Sequence, residues 1–165
     1  MSGEAQPGSS LVTGGNGFAG RHLVELIGDG VCAPSHAELD LCDGVAVRAL
    51  VAELQPATVF HLAAFSSPSE SWQRPDQGLL TNLEMTLHLL EAVRHEAPEA
   101  TVVLVGSGQI YGEPATLPIT EDEPLAPGNP YAVGKVASDM LGRQYAEAFG
   151  MRLGRLRPFN HAGPG

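Results

Sequence analysis

Apolar positions in this chain fall into short runs that alternate between two periods. Leu11 to Thr13, Val31 to Ala33, Thr58 to His61, Thr101 to Val105 and Met151 to Leu156 are brief and largely β-branched or apolar, and each reads as a strand. Longer stretches with a helical period lie between them: Phe18 to Ile27, carrying Phe18, Leu23, Leu26 and Ile27; Val45 to Leu54; Leu79 to His95, with Leu83, Leu87, Leu90 and Val93 on one side; and Tyr131 to Phe149. Thr101 to Val105 is unbroken, as expected of a strand covered on both faces. Gly112 to Pro130 is a Pro-rich acidic loop, and no repeat or low-complexity tract stands out. Repeated strand–helix units predict an α/β domain, a parallel sheet with helices on both faces. Such sheets bind ligands at the carboxyl ends of their strands, where Thr13, His61, Ser107 and the turn into Pro158 fall.

The first strand runs into Thr13-Gly14-Gly15-Asn16-Gly17-Phe18-Ala19-Gly20. Gly14, Gly17 and Gly20 sit where strand gives way to helix, although their spacing is not the strict G-x-G-x-x-G fingerprint. A strand–glycine turn–helix unit leaves backbone N–H groups at the positive end of a helix, where a pyrophosphate can rest. This points to a doubly wound dinucleotide-binding domain of Rossmann type. The bland alternative is an ordinary Gly-rich turn.

Tyr131 and Lys135 are four residues apart and stack on one helix face. An ammonium beside a phenol favours the phenolate, so the Tyr131 pKa is expected below its usual value of about 10. Tyr131 then serves as an acid or base toward a carbonyl or sugar oxygen. The same spacing also occurs on solvated helices that do nothing.

Nineteen acidic against nine basic residues give a net charge of -10, which argues against nucleic acid and against an anionic membrane surface. The 165 residues suit one domain, 11–165, after a polar, flexible leader, Met1 to Ser10, that is no signal peptide. No apolar run is long enough to span a bilayer. Cys32 and Cys42 form no C-x-x-C pair, so a reducing, cytoplasmic setting is expected, with both as small core residues. The six histidines show no ligand spacing, and no metal is expected.

Taken in order, the segments TGGNGFAG, LDLCD, HLAA, GSGQIYG, PITEDEPLAPGNP, YAVGK and RPFNHAGPG resemble the extended short-chain dehydrogenase/reductases over almost the whole chain. The nucleotide-sugar group fits best, and the last segment resembles the GDP-4-keto-6-deoxymannose reductases and their GDP-mannose dehydratase relatives. The resemblance implies a catalytic set of Ser107, Tyr131 and Lys135: Ser107 bonds the reacting oxygen, Tyr131 is the acid/base, and Lys135 holds the nicotinamide ribose. It implies cofactor contacts at Gly14, Asn16, Gly17, Phe18, Gly20, Asp40, Leu41, Leu62, Ala63, Ala64 and Pro158, besides Tyr131 and Lys135. Substrate contacts are implied at Ser107, Gln109 and Asn160. From local sequence alone, Ser107 is equally a strand-end serine capping a turn. Asn160 has a turn-supporting alternative, and Asn82 reads as structural.

Three departures shape the expectation. Related dehydratases carry an acid where this chain has Gln109, and an amide accepts no proton near neutral pH. That disfavours elimination and favours reduction of a 4-keto group, with 4-epimerisation as the alternative. The stretch Ala33-Pro34-Ser35-His36 ends the second strand without an acid or an arginine, so NADP(H) is favoured only by analogy and NAD(H) stays open. The family continues into a substrate domain beyond the last residues here. This chain is therefore expected to hold the dinucleotide half without the sugar-selecting wall, with an exposed edge on its last strand. A nucleotide-binding module without catalysis is the rival from another class. The resemblance also implies a nucleotide-sugar ligand and a homodimer through the helices at Leu79–His95 and Tyr131–Phe149.

Overall fold

The computed structural model describes residues 9–164; of the polar leader, residues 1–8 lie outside the described residues. The elements, in order, are β1 (Ser10–Thr13), α1 (Phe18–Ile27), β2 (Val31–Cys32), α2 (Gly44–Leu54), β3 (Thr58–His61), α3 (Pro68–Ser71), a π turn (Gln77–Thr81), α4 (Asn82–Glu96), β4 (Thr101–Val105), a 3₁₀ turn (Gly108–Tyr111), α5 (Pro130–Phe149) and β5 (Arg152–Leu156). Ser10, placed in the leader by sequence, is the first residue of β1 and pairs with Val31 and Thr58. The π turn and the single-turn α3 left no trace in the periodicity, because each is too short to show one.

All pairings are parallel, in the order β2-β1-β3-β4-β5. The chain leaves β1 toward one side to make β2, then returns across it to β3. That reversal opens a crevice at the carboxyl ends of β1 and β3. Right-handed crossovers put α1 on one face of the sheet and α2, α4 and α5 on the other. The main core lies on the three-helix side, where Leu11, Val59, Val102 and Leu104 meet Val47 and Val51 of α2, Leu89, Leu90 and Val93 of α4, and Tyr145 of α5.

The opposite face is thinly covered among the described residues. In β4, Val102 and Leu104 are buried while Thr101, Val103 and Val105 are only half-buried, so the strand is not enclosed on both sides as its apolar run suggested. On α1, Leu26 is 83% exposed and Phe18 40%. β5 forms one edge of the sheet, as expected.

Two contacts set the heights of the helices over the sheet. A Cβ on Gly134 of α5 would lie 2.5 Å from the Gly78 carbonyl oxygen, so only glycine lets α5 rest on the π turn. Asn82 ties the start of α4 to the stretch after β3: its Oδ1 accepts from Phe65 N–H at 2.8 Å and its Nδ2 donates to Phe65 O at 3.1 Å.

His61 links these pieces. Its Nδ1 is 2.7 Å from Thr13 Oγ1 and its Nε2 is 3.3 Å from Thr86 Oγ1. Thr86 gives its proton to Asn82 O at 2.8 Å or to Ser138 Oγ at 3.2 Å. Either way its oxygen is left to accept, which assigns the imidazole proton to Nε2 and lets Nδ1 accept from Thr13. Burial, with the Lys135 ammonium adding to it, holds the ring neutral and its pKa down to about 3. The unfolded chain binds this proton from about pH 6.5 downward, so stability is complete above that value and drains as pH falls toward the folded pKa. The limit is about 1.4 kcal/mol per pH unit. His61→Gln should flatten this acid limb of urea unfolding, followed from about pH 7 down to about pH 4. An acid limb as steep in the variant as in the parent would assign the effect elsewhere.

Candidate active site

A cavity of about 860 Å³ opens at the carboxyl ends of β1, β3 and β4 and the exit of β5. Its wall carries Gly14, Asn16, Gly17, Phe18 and Gly20 from the first turn, Leu41 after β2, and Leu62, Ala63 and Ala64 after β3. Ser107, Gln109, Tyr131, Lys135, Pro158 and Asn160 complete the far side. Of the catalytic, cofactor and substrate residues that the resemblance implies, only Asp40 stays off this wall; its carboxylate is turned onto Cys42 N–H at 2.9 Å.

The three glycines do different work. Gly14 has φ +76, and a Cβ there would lie 2.6 Å from Ala63 N; one on Gly20 would lie 2.1 Å from Gly14 O. The protein's own packing therefore requires both. Gly17 has φ -75, and a side chain there would meet only Gly14 O, at 3.2 Å. Nothing internal demands glycine at 17, but that position faces the cavity. Gly17 also caps α1 without a side-chain bond, and the first amide of the helix ladder is Arg21 N–H to Gly17 O at 3.1 Å. Gly17 N–H donates to Gly14 O at 3.0 Å, and the amides of Phe18, Ala19 and Gly20 have no backbone partner among the described residues; at the positive helix end they make a binding place for an anion.

On the far side, Asn129 caps α5, its Oδ1 accepting Ala132 N–H at 2.8 Å, with Pro130 as the first helical residue. The helix carries Tyr131 and Lys135 inward, 8% and 7% exposed. Lys135 Nζ donates to Val105 O, 2.9 Å away at the end of β4. Two residues on, Ser107 caps the 3₁₀ turn by accepting Gln109 N–H at 3.2 Å, so the capping alternative and the place on the cavity wall are both realised.

The electrostatics correct one expectation. The Tyr131 pKa is raised, not lowered: burial dominates, and the neighbouring Ser107 hydroxyl only works against it. Burial also brings Lys135 down to about 8, and its ammonium is turned onto a backbone carbonyl. Desolvation of a phenol beside a lysine already bonded elsewhere outweighs the helix-face attraction. Tyr131 is accordingly a neutral phenol at neutral pH, a proton donor as it stands.

Sequence reading missed the frame around this set. Asp139, one turn beyond Lys135, is 5% exposed and binds Arg157 through both carboxylate oxygens, at 3.1 and 2.9 Å, and Arg155 at 2.6 Å. Arg157 also donates to Tyr111 Oη at 2.7 Å, and the Tyr111 ring stacks on Phe159 at 6.4 Å. These partners lie far apart in sequence and share no spacing. Asn-Pro ahead of a helix, by contrast, is a legible cap signal. At the end of β2, Pro34, Ser35 and His36 line the cavity, and Glu38 folds back to accept from Ser35 N–H at 2.8 Å and Ser35 Oγ at 2.7 Å. Among the described residues no helix is long and apolar enough to cross a membrane.

The family model described as "NAD dependent epimerase/dehydratase family" matches residues 10–165. GDP-6-deoxy-D-mannose reductase of Pseudomonas aeruginosa is 37% identical over 161 residues, covering 94% of this chain and 53% of the relative. UDP-glucose 4-epimerase of Mycolicibacterium smegmatis is 31% identical over 182 residues, with 94% and 56% covered. The chain thus spans about half the length of the curated relatives it matches. Among solved structures, P. aeruginosa RMD complexed with NADPH has a TM-score of 0.83 at 34% identity, covering 95% of this chain and 55% of that one. UDP-glucose 4-epimerase from Brucella ovis in complex with NAD also scores 0.83, at 31% identity, with 92% and 51% covered. The five-stranded parallel sheet, the glycine turn into α1 and these matches agree: the chain belongs to the NAD dependent epimerase/dehydratase family.

Proposed function

We propose that this chain forms the cofactor-binding and catalytic half of a nucleotide-sugar reductase acting on the 4-keto group of a GDP-linked 6-deoxy sugar. The observation that carries this reading is the neutral, buried Tyr131 beside Ser107 and Lys135 at the mouth of a dinucleotide-type crevice. When bound, the nicotinamide cofactor supplies the hydride. Tyr131 gives its phenolic proton to the carbonyl oxygen, and Ser107 donates a hydrogen bond to the charge that develops there. Lys135 holds the ribose and helps Tyr131 release its proton. The amides of Phe18, Ala19 and Gly20 receive the pyrophosphate, with Leu41, Leu62, Ala63, Ala64 and Pro158 along the dinucleotide and Asn160 toward the sugar nucleotide.

Gln109 places no base in the cavity, which supports reduction over elimination. The likeness to UDP-glucose 4-epimerases favours a second reading, 4-epimerisation with retained NAD on the same three residues. NADP(H) is the favoured cofactor on the likeness to the NADPH-bound reductase. A homodimer in the cytoplasm completes the proposal; Leu80 and Leu87 on the α4 side and Met140 on α5 are exposed apolar residues suited to a helix–helix interface.

Tyr131→Phe should lower turnover by about 10²- to 10⁴-fold and leave cofactor affinity within about twofold. Steady-state rates beside a fluorescence titration test this, and full turnover in the variant removes Tyr131 from the mechanism. Gly17→Val should retain the circular dichroism and melting profile of the parent and lose saturable binding of NADPH and NADH. Unchanged affinity would refute a pyrophosphate at this turn.

A further inference from the structure

Asn129 does more than begin a helix. Its Oδ1 is committed to Ala132 N–H at 2.8 Å, which only the oxygen of the amide can accept. The nitrogen end is thereby fixed, and Nδ2 donates to Gln109 Oε1 at 3.1 Å. The direction of the second amide follows from the first. With its oxygen held by Asn129, Gln109 has its NH2 group left over, and this group has no partner among the described residues. Gln109 lies on the cavity wall, and its own backbone N–H is held by Ser107 Oγ at 3.2 Å. Asn129 is off that wall.

We propose that Asn129 is a positioning residue that fixes the Gln109 amide so that its NH2 group faces the cavity beside Ser107 and donates to an oxygen of the bound sugar. A ligand with an acceptor oxygen at or next to the reacting carbon, a keto or hydroxyl oxygen, meets two donors, Ser107 and Gln109. A ligand presenting a donor there leaves an unpaired group. The cap of the helix that carries Tyr131 thus also sets the polarity of the neighbouring wall, since Asn129 lies two residues before Tyr131. The inference rests on the reading of this cavity as a nucleotide-sugar site.

Asn129→Asp and Asn129→Ser separate this role from capping, because Asp, Ser and Asn are comparable N-caps. In Asn129→Asp the second carboxylate oxygen can only accept, so Gln109 turns its NH2 outward and shows Oε1 to the cavity. With a GDP-linked 4-keto-6-deoxy sugar and NADPH, kcat/KM should fall about tenfold or more, with the melting temperature and NADPH affinity unchanged. Asn129→Ser, which frees the Gln109 amide without reversing it, should fall less. Gln109→Met should lose as much as Asn129→Asp, and the double variant should be no worse than either, as expected when one residue acts through the other. Parental kcat/KM in Asn129→Asp overturns the proposal. A second readout is independent of turnover. In the ¹⁵N-labelled parent chain, the Asn129 side-chain amide protons should exchange slowly with solvent and those of Gln109 rapidly; the reverse order overturns the proposal. If the parent binds no nucleotide sugar, the functional reading fails, and the exchange rates alone decide whether Asn129 orients Gln109.

Discussion

The seat of α5 against the sheet is the constraint on which the site depends. Lys135 has to reach the Val105 carbonyl, and at 2.9 Å it does so only because Gly134 lets the helix rest on the π turn. The same approach buries Tyr131 and brings it to Ser107. It also strips water from an ammonium whose pKa falls to about 8, a destabilising placement that a purely structural helix would avoid. Asp139 anchors the helix one turn further on, where two arginines from the end of β5 converge on it. The placement of Tyr131 and Lys135 and the packing of the helix are therefore one requirement: a side chain at position 134 would lift both residues away together.

The acidic balance of the chain looks at odds with a phosphorylated ligand, and pairing resolves it. Arg48, Arg94, Arg143 and Arg152 are tied to Glu96, Glu91, Glu147 and Glu99, and Arg155 and Arg157 to Asp139. Each of these guanidiniums is engaged by a carboxylate, although Arg155 and Arg157 share the one of Asp139. Arg21 of α1 has no carboxylate partner among the described residues and donates to Pro164 O; beside it, the positive potential for a phosphorylated ligand would come from uncharged sources, the amides of Phe18 to Gly20 and the α1 dipole. These cost no desolvation of a full charge, and an acidic surface does not cancel them at contact distance.

Much of the fold was legible because its signals are local. Period and length picked out the five strands and the long helices, and the glycine turn marked the strand-to-helix junction at Gly14. The π turn and α3 escaped because they are too short to show a period; the rest of what escaped depends on partners distant in sequence. The half-buried face of β4 follows from which helices lie over it, which an apolar run does not encode. The Asp139 cluster joins residues 16 and 18 apart on different elements. The Tyr131 shift went the wrong way because helix spacing shows that Lys135 is near but not that its proton is turned onto Val105, nor how far both groups are buried.

That correction bears on the chemistry. A phenol held above its ordinary pKa stays protonated at neutral pH but is a weaker acid, so it gives its proton only to an acceptor that strengthens as the reaction proceeds. Carbonyl reduction supplies such an acceptor, since negative charge grows on the oxygen as hydride arrives. An epimerase must begin by taking a proton from a hydroxyl, which requires the phenolate first. The protonated Tyr131 is the form that the proposed reduction uses. A ligand that draws the Lys135 ammonium away from Val105 and toward Tyr131 would lower the phenol pKa and open the oxidative direction. Under the proposed function, the reductive and epimerising readings of the site thus differ in whether Tyr131 begins as the phenol or as the phenolate, and in the structure Lys135 is turned onto Val105.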